Sequence, residues 1–553
     1  MTYNYRVLLF FINMASAFCE AFTTPSQVLA PVPKGMTYTE NGALSQDGTG
    51  SACLDFFAKV MARDKHTAMS DSVIQSTTEK SWDENPALTL RLIAHLRDIR
   101  GGKGERHAAQ VCWQWLAENQ PLQVTENMQQ MPFYGRWKDL LDTFCGTPFE
   151  NNAISLFATQ MQNDILILQI AESQEDSEIR CKMLTKLSLA AKWAPTEKCS
   201  HDKEAKKNGR TPPSLLLAQS LTGSVETNTK VMYLYRTKYL SPLRKALDIV
   251  ERYLCSQQFD EINFSKVPGQ ALKMYSSKTF PKHAAERFRQ WQQDVLAGKT
   301  KMNSGTVDPY EVVHLMMHNP PEEQKPTLEA FYHDQVKTIL KEQHDRFGSN
   351  VESTVVVADV SGSMTGTPME VAIAMAIWLS STAAEPWRNL FFTFDSVPGI
   401  VDLSRCTGLE DRVDIAKTAP WGGSTDLQAT MDLILSRSVT KGLTDEQMPK
   451  RLVIVSDMQF NEACGSNAFT NLEVMKAKFR LAGYTMPVVV FWNVRGNTGN
   501  NSPASHDERG IMLLSGFSKA LMSLVLEGGD IPTPYNLMCH ALSNERYDLM
   551  TLV

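Results

Sequence analysis

Ten cysteines are spread over 553 residues without a single C-x-x-C pair or a cysteine–histidine cluster at zinc-ligand spacing. That pattern argues against a zinc framework, a redox dithiol or a disulfide scaffold. The thiols read as scattered, reduced and mostly buried, as in an intracellular protein. Also missing are G-x-S-x-G, H-E-x-x-H, the kinase motif set and a deaminase H-x-E…C-x-x-C. With none of these constellations, a non-enzymatic protein is expected. No apolar stretch is long enough to span a bilayer, so no membrane role is expected. Eleven histidines are scattered; His314 and His318 stand four apart on a predicted helix, with no third ligand nearby in sequence.

What is present describes a folded chain with 43% apolar and 21% charged residues. It is too long for one core, so two or three domains are expected. A formal net charge of −6 hides an asymmetry. Residues 351–553 carry 22 acidic and 15 basic side chains, whereas 180–301 carry 23 basic and 10 acidic, a net of +13. At the start, Arg6 precedes the apolar run Val7–Ile12, and Ala15-Ser-Ala17 has the form of a signal-peptidase site. The run is short and broken by Asn13, with Met14 as an alternative start. A disordered or upstream-start extension of a cytoplasmic protein is therefore favoured over a cleaved secretory signal.

Residues 1–51 form a Pro-, Thr- and Gly-containing lead with little periodicity, read as extended or partly disordered. From 52 to 348 nearly every segment has helical periodicity and strand-like runs are almost absent. Helices are predicted at Asn152–Glu172, Glu178–Lys192, Leu240–Leu254, Lys282–Leu296, Tyr310–Met317 and Lys325–Gln343, with loops at Gly146–Asn151, Asp202–Pro213 and Asn319–Gln324. This is an all-α array, read as HEAT-like helix pairs, although no clean repeat period is visible. From 349 to 553 strand runs at Thr354–Ala358, Leu390–Phe394, Ile400–Leu403, Leu452–Val455, Val488–Trp492 and Ile511–Leu514 alternate with helices. That alternation predicts a doubly wound, mostly parallel α/β domain.

The most informative stretch is Val355-Val-Val-Ala-Asp359-Val-Ser361-Gly-Ser363. An apolar strand ends in one carboxylate and two hydroxyls, at the carboxyl end where open α/β sheets bind ligands. Such oxygens suit Mg²⁺ or Mn²⁺ better than zinc. The spacing D-x-S-x-S resembles the metal-ion-dependent adhesion site of von Willebrand factor A domains. The resemblance implies two further ligands, and candidates follow in the expected order: Thr425 in Gly422-Gly-Ser-Thr-Asp426, and Asp457 ending the apolar run Arg451–Ser456. It further implies a coordination position completed by water or by an acidic side chain of a protein partner. Asp395 and Asp426 are extra acidic groups near this rim, read as loop or helix-cap carboxylates or as partners of metal-bound water.

Basic and aromatic residues suggest a polyanion partner. Arg100-Gly-Gly-Lys103-Gly-Glu-Arg106 lacks phosphate-loop spacing and follows a helix, which favours a basic interhelical turn. Tyr134-Gly-Arg136-Trp137-Lys138-Asp139 can hold a base and a phosphate, or can anchor a helix-pair core. Lys192 beside Trp193, Arg236 and Lys238 between tyrosines, Arg244, Lys245, Lys278, Lys282, Arg287 and Arg289 complete the set. Together they make RNA the expected partner, with an acidic protein or an anionic surface as alternatives.

The whole chain is similar to two families. An all-α module followed by an adhesion-type metal domain resembles the Ro autoantigen (TROVE) family, in which a ring of HEAT-like helices binds RNA and a von Willebrand A domain closes the ring. Closer in wording is domain of unknown function 2828, through Thr39-Glu-Asn-Gly42-Ala, Leu96–Arg106, Tyr134–Leu140 and Lys192-Trp-Ala-Pro195. That resemblance covers roughly residues 37–553 and brings no known activity with it. The resemblance to Ro implies a ribonucleoprotein component with a Mg²⁺-dependent interaction domain; a protein-assembly scaffold without nucleic acid is the alternative. Neither family's likeness sets the oligomeric state.

Overall fold

A computed structural model describes residues 32–63, 68–223, 227–348, 353–394, 397–418, 425–461, 470–496, 499–527 and 533–553. A helical region is followed by a mixed α/β region built on parallel strands. Among the described residues, no helix is long and apolar enough to cross a membrane.

Strands β1 (Met36–Tyr38) and β2 (Leu44–Asp47) form a small hairpin, extended by the two-residue strand β8 (Asn501–Ser502). The end of the expected lead is thus structured. Its partners lie more than 400 residues away, which no local pattern reveals. The larger sheet runs in the order β5 (Gly399–Asp402), β4 (Leu390–Thr393), β3 (Thr354–Ala358), β6 (Arg451–Ser456), β7 (Val488–Asn493) and β9 (Ile511–Ser515). Only β5 is antiparallel to its neighbour. β3, β6 and β9 are buried at every position, because helices cover them and apolar β-branched residues fill them. The chain leaves β3 toward β4 and later returns to β6 on the other side. The order therefore reverses between β3 and β6, the point where such sheets open a crevice at their carboxyl ends.

The helix Thr367–Thr382 follows β3 and is buried along almost its whole length. It lies between the sheet and the helices Pro309–Met317 and Lys325–Phe347 of the helical region. Trp378 donates to Gln335 (3.1 Å), and the Tyr332 and Ser381 hydroxyls are 2.8 Å apart. The other end of the helical region meets the α/β region again. Lys103 Nζ donates to Ser515 Oγ (2.6 Å), and Arg546 pairs with buried Asp98 (2.8 Å). The helical region thus meets the α/β region in two separate places.

Two predicted helices are shorter than their periodicity suggested. Glu178–Lys192 breaks into Ser177–Leu184 and Ala190–Trp193; Leu240–Leu254 breaks around Asp248, whose φ of 52° ends one segment before Val250–Ser256 begins. The expected loop Asp202–Pro213 begins as a helix, Ser200–Lys207, because buried Asp202 accepts from the Ser214 amide and hydroxyl and folds it back. The thiols are less buried than expected: of the eight described cysteines, all free, only Cys53 and Cys112 are buried, while Cys181 and Cys255 are exposed on helices of the array.

Candidate metal centre and basic cleft

Asp359 follows β3 and Asp457 follows β6, so the sheet reversal sets two buried carboxylates side by side. Asp359 Oδ1 accepts from the Ser361 amide (2.9 Å) and Oδ2 from the Ser456 hydroxyl (2.6 Å). Burial first, and then the Asp457 carboxylate, push the Asp359 carboxyl up to about 6. Asp457 accepts from the Gln459 amide (3.2 Å) and from Arg495 Nη1 (3.2 Å). Between them Met458 takes a φ of 64°, left-handed backbone that a side chain rarely adopts. The Ser361 and Ser363 hydroxyls lie 3.1 Å apart on the turn after Asp359.

Thr425 reaches the same rim through the segment that follows Asp457. Its hydroxyl donates to the Gln459 carbonyl (2.8 Å) and accepts from Asn41 Nδ2 (3.1 Å). Asn41 also donates to the Gln459 carbonyl (2.6 Å), and Thr39 donates to the Phe460 carbonyl (2.8 Å). The Thr39–Gly42 motif is thus a brace beneath Thr425, a role its sequence did not announce. Arg495 is likewise silent in the sequence, since a lone arginine after a strand gives no signal. Asp426 is a helix cap: its carboxylate accepts from the Ala429 amide (2.9 Å). Asp395 and Gly422–Ser424 lie outside the described residues.

The donor chemistry fits a hard divalent cation. Two carboxylates and three hydroxyls supply oxygen alone. Arg495 compensates Asp457, but the hydrogen-bond partners of Asp359 are neutral, and a buried carboxylate without a countercharge is costly.

The cationic candidates separate into three groups. Arg100, Arg106 and Arg136 line a cleft of about 670 Å³, together with Arg63, Arg97, Lys519 and Trp193, against the carboxylates of Asp308, Glu311 and Glu342. Arg136 lies over the Trp193 ring (5.0 Å), as does Lys192 (5.9 Å), which also pairs with Glu251 (3.3 Å). Lys238, Lys245, Lys278, Lys282 and Arg289 are exposed, as is Arg236, 3.7 Å from Glu197; Lys138 is half-buried, 3.5 Å from Asp142. The rest hold the fold together. Arg244 donates to the Ala191 (2.9 Å) and Ala194 (3.2 Å) carbonyls, and Arg287 to those of Phe259 and Ile262 (both 3.0 Å).

Lys103 corrects the expectation of a surface cation. It is 1% exposed, and its ammonium donates to the Phe57 and Val60 carbonyls and to Ser515. Burial pushes it down to about 7. The turn that delivers it needs Gly102, because a Cβ there would stand 2.0 Å from the His95 carbonyl oxygen. Tyr134 and Trp137 are core anchors: Tyr134 is buried and stacked on Tyr547 (5.9 Å), and Trp137 meets Phe157 edge-on (5.1 Å).

The residues on both sides of these joints fall within stretches that match family models. The chain belongs to the DUF2828 family, a domain of unknown function that residues 39–146 and 151–353 match. Residues 353–547 match a second domain of unknown function, DUF7788. Over 534 residues the chain is 30% identical to "Uncharacterized protein L728" of Acanthamoeba polyphaga mimivirus, covering 92% of this chain and 87% of that protein.

Proposed function

We propose that this is a non-enzymatic RNA-binding protein whose α/β region, of von Willebrand A type, adds Mg²⁺- or Mn²⁺-dependent recognition of a protein partner. In this reading the helices form a HEAT-like array closed by the α/β region, as in Ro-type ribonucleoproteins, working in the cytoplasm. The observation that carries it is the cleft, where six cations and an indole face three carboxylates in a space wide enough for a nucleotide. Arginine holds phosphate and an indole stacks on a base, so the lining suits single-stranded RNA.

Asp359, Ser361, Ser363, Thr425 and Asp457 would hold the cation, directly or through water. The cation supplies an electrophilic position that an acidic side chain of the partner can fill. Ser456 and the Ser361 amide orient Asp359, and Asn41 orients Thr425. A protein scaffold without nucleic acid is the second reading, favoured by the three carboxylates within the cleft. Filter binding of single-stranded and hairpin RNA across a salt series separates the two. Binding tighter than the non-specific range of about 10⁻⁴–10⁻⁶ M at physiological salt, with a steep salt slope, supports the first; binding no tighter than about 10⁻⁴ M removes it.

A further inference from the structure

Two helices, one of the helical region and one of the α/β region, bring two imidazoles and a carboxylate to one point. His314 lies on the helix Pro309–Met317 and His318 caps its end; Glu370 lies in the first turn of Thr367–Thr382. His314 Nδ1 is 2.7 Å from Glu370 Oε2, and His318 Nε2 is 2.9 Å from Glu370 Oε1. The three ligand atoms all lie within 4.8 Å of one another, and the two rings are 4.5 Å apart. Among the described residues, no other group of three or more His, Cys, Asp or Glu converges so closely.

We propose that His314, His318 and Glu370 bind one Zn²⁺ ion that fastens the helical region to the α/β region. The i, i+4 spacing puts both imidazoles on one helix face, the arrangement in which two histidines share a zinc. Two nitrogens and one carboxylate oxygen suit zinc and exclude a preference for Mg²⁺. Ligands about 2.0–2.2 Å from a tetrahedral zinc stand about 3.3 Å apart, so each histidine–Glu370 separation needs to open by about half an ångström, while the two ring nitrogens already lie within 4.8 Å of each other. The Glu370 side chain is 11% exposed and therefore fixed, whereas the histidines are 50% and 62% exposed. The open side leaves the fourth position to water. None of the three residues belongs to the candidate Mg²⁺ set, so this site stands or falls independently of the proposed function.

The test uses the full chain, stripped of metal and held in excess Mg²⁺. Zn²⁺ is titrated in competition with a chromophoric chelator, and Co²⁺ serves as a spectroscopic probe of coordination. Wild type and the Asp359→Ala variant are expected to take one equivalent of Zn²⁺ that the His314→Ala/His318→Ala variant does not. Zinc should also raise the melting temperature of wild type and leave that of the double variant unmoved. Glu370→Gln keeps the side-chain shape and should weaken binding by more than the roughly 10- to 100-fold typical of losing an indirect partner. Equal zinc stoichiometry and affinity in wild type and double variant overturn the site, leaving a pair of imidazole–carboxylate hydrogen bonds. Undiminished binding by Glu370→Gln overturns the three-ligand assignment.

Discussion

Neutralising Arg100 and Arg106 together should flatten the salt dependence of RNA binding by a calculable amount. Six cations line the cleft, but they are not equally available. Arg63 is matched by Asp308 (2.7 Å) and Glu105 (3.4 Å), while Arg97 (2.7 Å) and Arg136 (3.1 Å) share Asp139 and Arg136 also lies 3.6 Å from Asp142. Burial lowers the affinity of Lys519 for its proton. Arg100 and Arg106 remain as exposed cations at the mouth. Each phosphate neutralised on a single strand contributes about 0.7 to the slope of log K against log salt, so Arg100→Gln/Arg106→Gln should reduce it by ~1.4. Between about 50 and 200 mM salt, wild type should then lose about sevenfold more affinity than the variant. Filter binding of a single-stranded oligoribonucleotide at four or five salt concentrations measures both lines. Parallel lines with equal intercepts would show that RNA does not use this cleft.

Other expectations concern the rim and the joints. Asp359→Ala should abolish Mg²⁺ or Mn²⁺ binding, read by calorimetry, without changing the helical circular dichroism; a variant that binds either ion like wild type refutes the ligand set. Asn41→Ala removes the amide that braces Thr425 and should weaken cation affinity without abolishing it; unchanged affinity would make the brace irrelevant to the site. Arg546→Met leaves Asp98 buried without its cation and should cost about 3–5 kcal/mol in urea unfolding, a loss under 1 kcal/mol being inconsistent with the pair. Lys103 sets a pH dependence. Its folded-state value near 7 lies below the 10.5 of the unfolded chain, so between these limits the unfolded state binds more protons and stability rises with pH, by at most about 1.4 kcal/mol per unit. Lys103→Met should remove that contribution, and equal urea-midpoint gradients from pH 7 to 10 in both proteins would refute it.

The large sheet was legible because its strands are short apolar runs, and all six fall within a residue or two of their expected places. β1, β2 and β8 were not, since Met36-Thr-Tyr38 and Asn501-Ser502 carry no period and each pairs with Leu44–Asp47 between them. At the rim, the oxygen residues could be picked out by spacing, whereas Asn41 and Arg495 could not, because each acts through contacts distant in sequence. Lysine is almost never fully buried, and three acceptors from distant segments make Lys103 the exception. Glu370, an acid in the first turn of its helix, meets two histidines more than fifty positions earlier only through the fold.

The family matches divide the chain at residue 353, but its physics does not. A gene cut there would yield one fragment in which Lys103 keeps the Phe57 and Val60 carbonyls but loses Ser515, and another in which the face of Thr367–Thr382 turned away from the sheet is open to water. The hairpin that supports Thr425 would stay with the wrong half. Each segment on its own would leave part of the shared contact surface uncovered.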